Sequence, residues 1–351
     1  PSPAAGSWLD PIPNASSPNP GQNSNRSTTH YPDTRAGGRM RVLVTGSAGF
    51  IGSRVAMMLL EESAEVFGVD CLSGDLYPRK DKEERLELLR EWPSFTPVIG
   101  DLAEIELDPI IGECDVVIHE AAMPGLTLSW ESFTTYTHSN VIATERLLKA
   151  LVDNPDVHLV HASTSSVYGL NALGAEDDPL EPVSPYGVTK LAAEHLIHAY
   201  TRNFGLRATV LRYFSVYGPS QRPDMAYERF CEKLARSEPI PITGDGRQSR
   251  TNTHINDVAR ATIAAAHKRL AGETLNICGD QEMALLDVLS IFADEIGVTP
   301  ELIFNEPRPG DQYRTRGDAS KARAFLDWEP LVPLEDGLRA QARDVLKRLG
   351  A

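Results

Sequence analysis

A doubly wound parallel α/β sheet with a smaller C-terminal substrate-binding lobe is the architecture that this 351-residue chain predicts. Three observations predict it. From Arg41 onward, short β-branched runs alternate with helical stretches, the pattern of a parallel sheet covered on both faces. A turn with glycines three apart, "TGSAGFIG", joins the first such run to the first helical stretch. After Gly218 the alternation gives way to mixed loop, helix and turn signals, which marks the second lobe.

The elements follow in order. "RVLVTG" is a strand ending in glycine, "FIGSRVAMMLLEES" has helical spacing, and "EVFGVD" is a second strand. "FTPVIGDL", "CDVVIHEAA" and "VHLVHAST" read as three more buried strands, with the helix "SNVIATERLLKALVDN" before the third. The helix containing "SPYGVTK" comes next, then the strand "LRATVLRYFSVYG". Beyond Gly218, "HINDVARATIAAAHKRL" is an amphipathic helix and "ETLNICG" a strand expected to return to the main sheet. A helix near "ALLDVLSIFADEIG", a loop "NEPRPGDQYRTRGD" and a helix after Pro333 close the chain. The expected organisation is a Rossmann-type core over 40–218, rejoined by 252–279, with a lobe from 219–251 and 280–351. Residues 1–39 are rich in Pro, Ser and Asn without apolar period, and read as a flexible extension, native or added, before Met40.

Composition excludes several classes. A formal net charge of -15 argues against duplex DNA or an anionic membrane as the main partner, because both require basic patches. No apolar run reaches the length of a membrane span. The cysteines Cys71, Cys114, Cys231 and Cys278 are scattered with no C-x-x-C pair, so neither a metal nor a disulfide framework is expected, and a reducing cytoplasm is.

The glycine turn places Gly46, Gly49 and Gly52 between the first strand and first helix. There they permit a tight turn, close approach of backbone to a pyrophosphate, and close helix–strand packing. The helix start, Phe50, Ile51 and Gly52, then offers N–H groups to the anion. Asp70 ends the second strand, where a carboxylate accepts both ribose hydroxyls of an adenosine and repels a 2′-phosphate, favouring NAD over NADP. Asp101, at the end of the third strand, is placed to meet the adenine edge.

Ser184 and Pro185 are suited to the N-cap and first position of a helix, which sets Tyr186 and Lys190 one turn apart on one face. A phenol is a poor base at neutral pH, but a neighbouring ammonium and a positive nicotinamide both favour its phenolate. Upstream, Thr164, Ser165 and Ser166 follow a strand at the sheet edge where such folds bind ligands. A hydroxyl there can bridge a substrate oxygen and the tyrosine.

Together these residues resemble the extended short-chain dehydrogenase/reductase family, specifically its NAD-dependent nucleotide-sugar epimerases and dehydratases. "TGSAGFIG", "HEAA", "TSSVYG", "SPYGVTK", "RYFSVYGPSQRPDMA" and "GDGRQSR" fall in family order from about Met40 to the last helix. The resemblance adds Leu102 and Ala121 to the cofactor-binding set. It implies a shared first step, in which the Tyr186 phenolate takes the 4-hydroxyl proton, helped by Thr164, while C4 gives hydride to NAD⁺. Relatives that eliminate water resemble "TDEVYG"; here Ser165 and Ser166 replace that acid pair, so epimerisation, which needs no second acid, is the preferred reading. "SVYGPSQRPDMA" is similar to the stretch in UDP-glucuronate 4-epimerases, where Ser215 and Arg222 would lie near the sugar C6 group. The resemblance implies UDP-glucuronate to UDP-galacturonate as the reaction, with UDP-glucose, UDP-N-acetylglucosamine or another nucleotide-diphosphate sugar as the alternative substrate. Arg250 and Arg308 would grip the diphosphate and Asp311 the ribose.

Two departures stand out. Gly125, Leu126 and Thr127 replace the usual Gly-Val-Arg, and Glu120 stands where Leu is usual. A dehydratase or decarboxylase using Glu120 is a rival reading. So is a silent NAD-binding sensor, though such proteins lose the tyrosine or lysine that this chain keeps. By analogy with relatives, the chain is expected to form a homodimer.

Overall fold

The run Arg41–Thr45 forms strand β1 because four of its five residues are buried, as a strand covered on both faces requires. The computed structural model describes residues 38–307 and 312–350. The expectation for the N-terminal segment, all but its last two residues, therefore lies outside the described residues, as do Arg308 and Asp311.

After β1 come α1 (Phe50–Glu61), β2 (Glu65–Asp70), α2 (Arg79–Arg90), β3 (Phe95–Ile99), α3 (Asp108–Ile111) and β4 (Val116–His119). Then follow α4 (Leu128–Glu131), α5 (Phe133–Thr137), a π-helical stretch His138–Ile142, α6 (Ala143–Val152) and β5 (His158–Thr164). A 3₁₀ turn (Ser165–Tyr168) and β6 (Asn171–Gly174) lead to α7 (Pro185–Phe204) and β7 (Ala208–Tyr213). The chain continues through β8 (Val216–Tyr217), α8 (Ala226–Ala235), β9 (Ile240–Thr243), β10 (Ser249–Thr251), β11 (Thr253–His254), α9 (Ile255–Lys268) and β12 (Glu273–Ile277). It closes with β13 (Glu282–Ala284), α10 (Leu285–Ile296), β14 (Leu302–Asn305), β15 (Arg314–Gly317), α11 (Ser320–Leu326) and α12 (Leu334–Leu349).

Seven strands make one parallel sheet in the order β12-β7-β5-β4-β1-β2-β3. The order reverses between β1 and β4, and the crevice at such a point, beyond the carboxyl ends of the strands, is where this architecture binds ligands. Side chains alternate between two cores, as a two-residue period demands. Val42, Val44, Val116 and Ile118 join one, which α1 and α9 cover. Leu43, Val117 and Leu159 join the other, beneath α6 and α7. A third core, with Phe230, Ile242, Phe292 and Leu338, unites α8, β9, α10 and α12. A second sheet, β13-β10-β15-β6, ties late segments to the turn after β5.

Two expected strands are shorter than the sequence suggests. "CDVVIHEAA" stops at His119, so Glu120 and Ala121 leave the sheet at the crevice. "LRATVLRYFSVYG" divides: β7 ends at Tyr213, and Val216–Tyr217 pairs with β11 instead. Phe214 N–H still bonds the Ile277 carbonyl at 3.0 Å, after which the chain turns toward the second lobe.

Candidate active site

The turn after β1 is built by close backbone approach. Gly46, at φ +71°, donates to the Val69 carbonyl at 2.7 Å, and a Cβ there would stand 2.7 Å from the Ala121 nitrogen. A Cβ on Gly52 would collide with the Gly46 carbonyl oxygen. The first intrahelical bond of α1 runs from Ser53 N–H to the Gly49 carbonyl at 3.0 Å. The amides of Phe50, Ile51 and Gly52 thus have no intrahelical partner and are left for an anion at the helix start. Asp70 is buried at the end of β2, its Oδ2 accepting from Ala48 N–H (3.1 Å) and its Oδ1 from Leu72 N–H (2.8 Å). A glycine cradle, an open helix end and a braced carboxylate fit a dinucleotide.

Asp101 lies beside this cradle with its carboxylate on Ala103 N–H (2.8 Å) and His138 Nε2 (3.0 Å). Leu102 is buried in the core with Val69, and Ala121 N–H is held by Thr45 Oγ1 at 3.2 Å.

Ser184 caps α7 by accepting from Gly187 N–H at 3.1 Å, which fixes the first turn that carries Tyr186. The Tyr186 ring packs edge-on against Tyr136, 6.2 Å between centroids, and its phenol is hydrogen-bonded to Thr164. Burial raises the Tyr186 pKa above its ordinary value; Thr164 and Arg222 pull it down, and Glu120 pushes it up. The lowering expected from the sequence is therefore not supplied by the chain alone, because desolvation of the phenolate outweighs these partners. Lys190 is 3% exposed, with Nζ 3.5 Å from His161 Nε2. Burial lowers its pKa to about 8, against the pull of Glu120 and Glu194. His161 is held well below its usual value by burial and by Lys190, so it is neutral and leaves the positive charge on the lysine.

The hydroxyl turn follows directly. Thr164 Oγ1 accepts from Ser166 N–H at 3.2 Å, and the Ser165 carbonyl accepts from Gln312 Nε2 at 3.4 Å. Arg222 reaches the same cleft, close enough to act on Tyr186, with its fork on Asp224 at 3.0 Å through both Nε and Nη2. Ser215 sits between β7 and β8, its carbonyl taken by Thr253 N–H at 3.0 Å. Arg250, on β10, donates to the carbonyls of Ser249 and Tyr313 and to that of Gln312.

Three features lay beyond the motifs. Arg212 of β7 forks onto Glu194 of α7, Nη2 to Oε2 at 2.8 Å, with Ser163 on the same carboxylate. A charge inside the apolar run "ATVLRYF", and an acid four residues after Lys190, were the available signals. Tyr136 donates to the carbonyls of Pro124 (2.7 Å) and Gly125 (2.8 Å), binding the "PGLT" loop to the Tyr186 wall; no spacing announced it. Glu120 turns from the end of β4 to Tyr213, whose hydroxyl donates to Oε1 at 2.7 Å.

Comparison with known proteins agrees with this geometry. The profile of the NAD dependent epimerase/dehydratase family matches residues 42–278. A UDP-glucuronate 4-epimerase of Thermodesulfobacterium geofontis is 39% identical over 303 residues, 85% of this chain and 93% of that protein. A Bacillus subtilis protein, described as the uncharacterized UDP-glucose epimerase YtcB, is 40% identical over 303 residues, 85% of this chain and 96% of its own. The crystal structure of UDP-glucuronic acid 4-epimerase from Bacillus cereus, in complex with UDP-glucuronic acid and NAD, superposes with a TM-score of 0.84 at 39% identity. That match covers 88% of this chain and 100% of the other.

Proposed function

Because the chain belongs to the NAD dependent epimerase/dehydratase family, we propose that it interconverts UDP-glucuronate and UDP-galacturonate through a 4-keto sugar. The protein is an NAD-dependent nucleotide-sugar 4-epimerase, and its cofactor is NAD. The observation that supports the reaction type is the hydrogen bond of Tyr186 to Thr164, with Lys190 one turn further along α7, beside a turn that offers serines at 165 and 166 rather than acids.

NAD, held at the glycine turn and Asp70, would supply a reversible hydride acceptor for C4. The chain supplies the rest. Tyr186 Oη accepts the 4-hydroxyl proton with Thr164 holding the oxygen, and later gives the proton back. The ammonium of Lys190, in a site where charge is poorly screened, favours the phenolate and orients the ribose. Ser165 and Ser166 lack the acidity to expel water, so the keto sugar is left to turn over and be reduced. A hexuronate intermediate is a β-keto acid, and we assign Ser165, Ser166, Ser215 and Arg222 to holding its carboxylate against loss of CO₂. Gly46, Gly49, Phe50, Ile51, Gly52, Asp70, Asp101, Leu102 and Ala121 are assigned to the cofactor and Arg250 to the diphosphate.

Thr127 favours a second substrate reading. The usual arginine is missing there, and uncharged UDP-glucose needs no cation at that position. Incubation with UDP-glucuronate, UDP-glucose and UDP-N-acetylglucosamine, followed by NMR of the C4 proton, separates the readings. Axial C4 product from UDP-glucuronate is expected; release of CO₂ or water refutes epimerisation, and turnover of UDP-glucose alone refutes the uronate.

The same proposal includes a cytoplasmic homodimer. Trp130, Phe133, Ile142 and Val188 lie exposed on adjoining helical segments, which supports a self-association face. Among the described residues no helix is long and apolar enough to cross a membrane.

A further inference from the structure

We propose that Arg85 of α2 is a positioning residue for substrate selection: by bonding the Ser220 carbonyl it holds the segment that carries Arg222, and so sets how well the site takes a sugar with a carboxylate at C6. This rests on the assignment of Arg222 to that carboxylate given above.

Helix α2, RKDKEERLELLR, is charged along most of its length, yet Arg85 is buried with Leu86 and Leu89. At 7% exposure it is a cation in a place that arginines take only when partnered. Among the described residues no carboxylate pairs with it. Its Nη2 donates instead to the Ser220 carbonyl at 3.1 Å, across 135 residues of sequence, and its Nη1 reaches the Tyr77 hydroxyl at 3.5 Å. The guanidinium stands 5.7 Å from the centre of the Tyr77 ring. Lys82, one turn earlier, lies 5.3 Å from the same ring and 3.9 Å from Asp70 Oδ1. The helix is thus seated on the proposed cofactor side by Lys82 and reaches toward the second lobe with Arg85.

The residue it reaches is held in an unusual shape. Ser220 has φ +59°, a left-handed conformation that a serine keeps only where its surroundings fix it. Both of its peptide groups are gripped. Its N–H donates to Asp344 Oδ2 of α12 at 2.8 Å, and its carbonyl takes the Arg85 bond. Around it, Gly218 N–H donates to Gln341 Oε1 at 3.1 Å, and Gln341 Nε2 donates to Gln221 Oε1 at 2.9 Å. Helix α12 therefore supports this segment from the second lobe. Among the described residues, Arg85 is the side chain that bonds it from the main-sheet half. Two residues beyond the gripped carbonyl, Arg222 closes its fork on Asp224.

The approach to α2 also touches the acid–base wall. Leu76 Cδ1 lies 3.8 Å from where a Cβ on Gly125 would stand, and the Tyr136 hydroxyl lies 3.3 Å from that point. Tyr136 is the ring packed 6.2 Å from Tyr186. Arg85 thus spans from a support shared with the Tyr186 wall to the backbone of the Arg222 segment. Without it, the Ser220 carbonyl loses its partner and the backbone is free to leave its left-handed turn. Arg222 is then no longer held in advance for a carboxylate, and the ligand must order it on binding. Arg250, assigned to the diphosphate, is held on β10 by the carbonyls of Ser249 and Tyr313 and has no bond to Arg85. The loss falls on the sugar carboxylate and spares the nucleotide half.

The test compares holoenzyme variants in one steady-state assay, with UDP-glucuronate as substrate and UDP as competitive inhibitor. Arg85→Met keeps an apolar stem beside Tyr77 and removes the donors. It is expected to raise KM for UDP-glucuronate about tenfold, the worth of a hydrogen bond from a charged donor. The kcat and the Ki for UDP are expected to stay within about twofold. Arg222→Met is expected to raise the same KM, and the double variant to match Arg222→Met alone, because both changes disable one arrangement. Arg85→Lys keeps the charge beside Tyr77 but lacks the fork that reaches Ser220. The same rise in KM is expected there, which covers the case in which Arg85→Met does not fold. Unchanged KM in Arg85→Lys, equal losses for UDP and UDP-glucuronate, or additive effects in the double variant overturn the proposal and leave Arg85 a packing residue. Unchanged KM in Arg222→Met, or no turnover of UDP-glucuronate by the unaltered enzyme, overturns the underlying assignment instead.

Discussion

Lys190 is buried beside a neutral imidazole, and burial lowers its pKa to about 8 against the pull of Glu120 and Glu194. His161 is neutral beside it, and Glu194, four residues further along α7, is occupied by Arg212. That ion pair is buried on both sides, at 1% exposure for Glu194 and 3% for Arg212. A guanidinium left without its carboxylate in such a place is strongly destabilising. Glu194→Gln should accordingly lower the unfolding free energy by about 3 kcal/mol or more, read from urea denaturation with absorption or circular dichroism. A change within about 0.5 kcal/mol would mean that the pair is dispensable and that Arg212 finds other acceptors. The sequence signals only a charge within β7 and an acid after Lys190; their pairing is not legible there, because the two lie 18 residues apart on different elements and only folding brings them together.

At the scale of elements, what was legible follows burial. The strands of the main sheet could be read directly; β4, β5 and β7 are buried throughout, as strands covered on both faces are, whereas β3 at the sheet edge leaves Thr96 and Ile99 exposed. Helix α2 could not: its sequence RKDKEERLELLR buries only Arg85, Leu86 and Leu89, too narrow a stripe to announce a period. Strands β6, β13 and β15 are three or four residues long and half-exposed, and they exist because the lobe's partners pair with them. The π-helical stretch His138–Ile142 likewise has no local signature; Asn140 within it bonds the Met123 carbonyl and N–H, a tertiary demand. The site divides in the same way. The glycine turn and the start of α7 are local devices and were plain, whereas the route of Glu120 to Tyr213 spans 93 residues and was not. The N-cap of α7 is the local device with the most leverage, because Tyr186 is two residues from it. Ser184→Ala should cost about 1 kcal/mol of stability. It should also lower kcat more than it raises KM for UDP-glucuronate, since the phenol loses its fixed position. Unchanged kcat would show that Tyr136 and Thr164 suffice to place the ring.

The whole molecule is arranged around the reversal of strand order between β1 and β4. The turn after β1 and the segment between β5 and α7 both leave the carboxyl edge of the sheet, so the proposed cofactor cradle and the proposed acid–base centre share one edge. Arg250 and Gln312 bring the second lobe to that edge, Gln312 bonding the carbonyls of Ser165 and Gly169. Such an assembly can take hydride from C4 and put the same hydride back. Turnover of UDP-glucuronate carrying deuterium at C4 tests this most directly. The label should remain at C4 in both epimers, with none gained by unlabelled substrate in D₂O; exchange of the C4 hydrogen with solvent would contradict it.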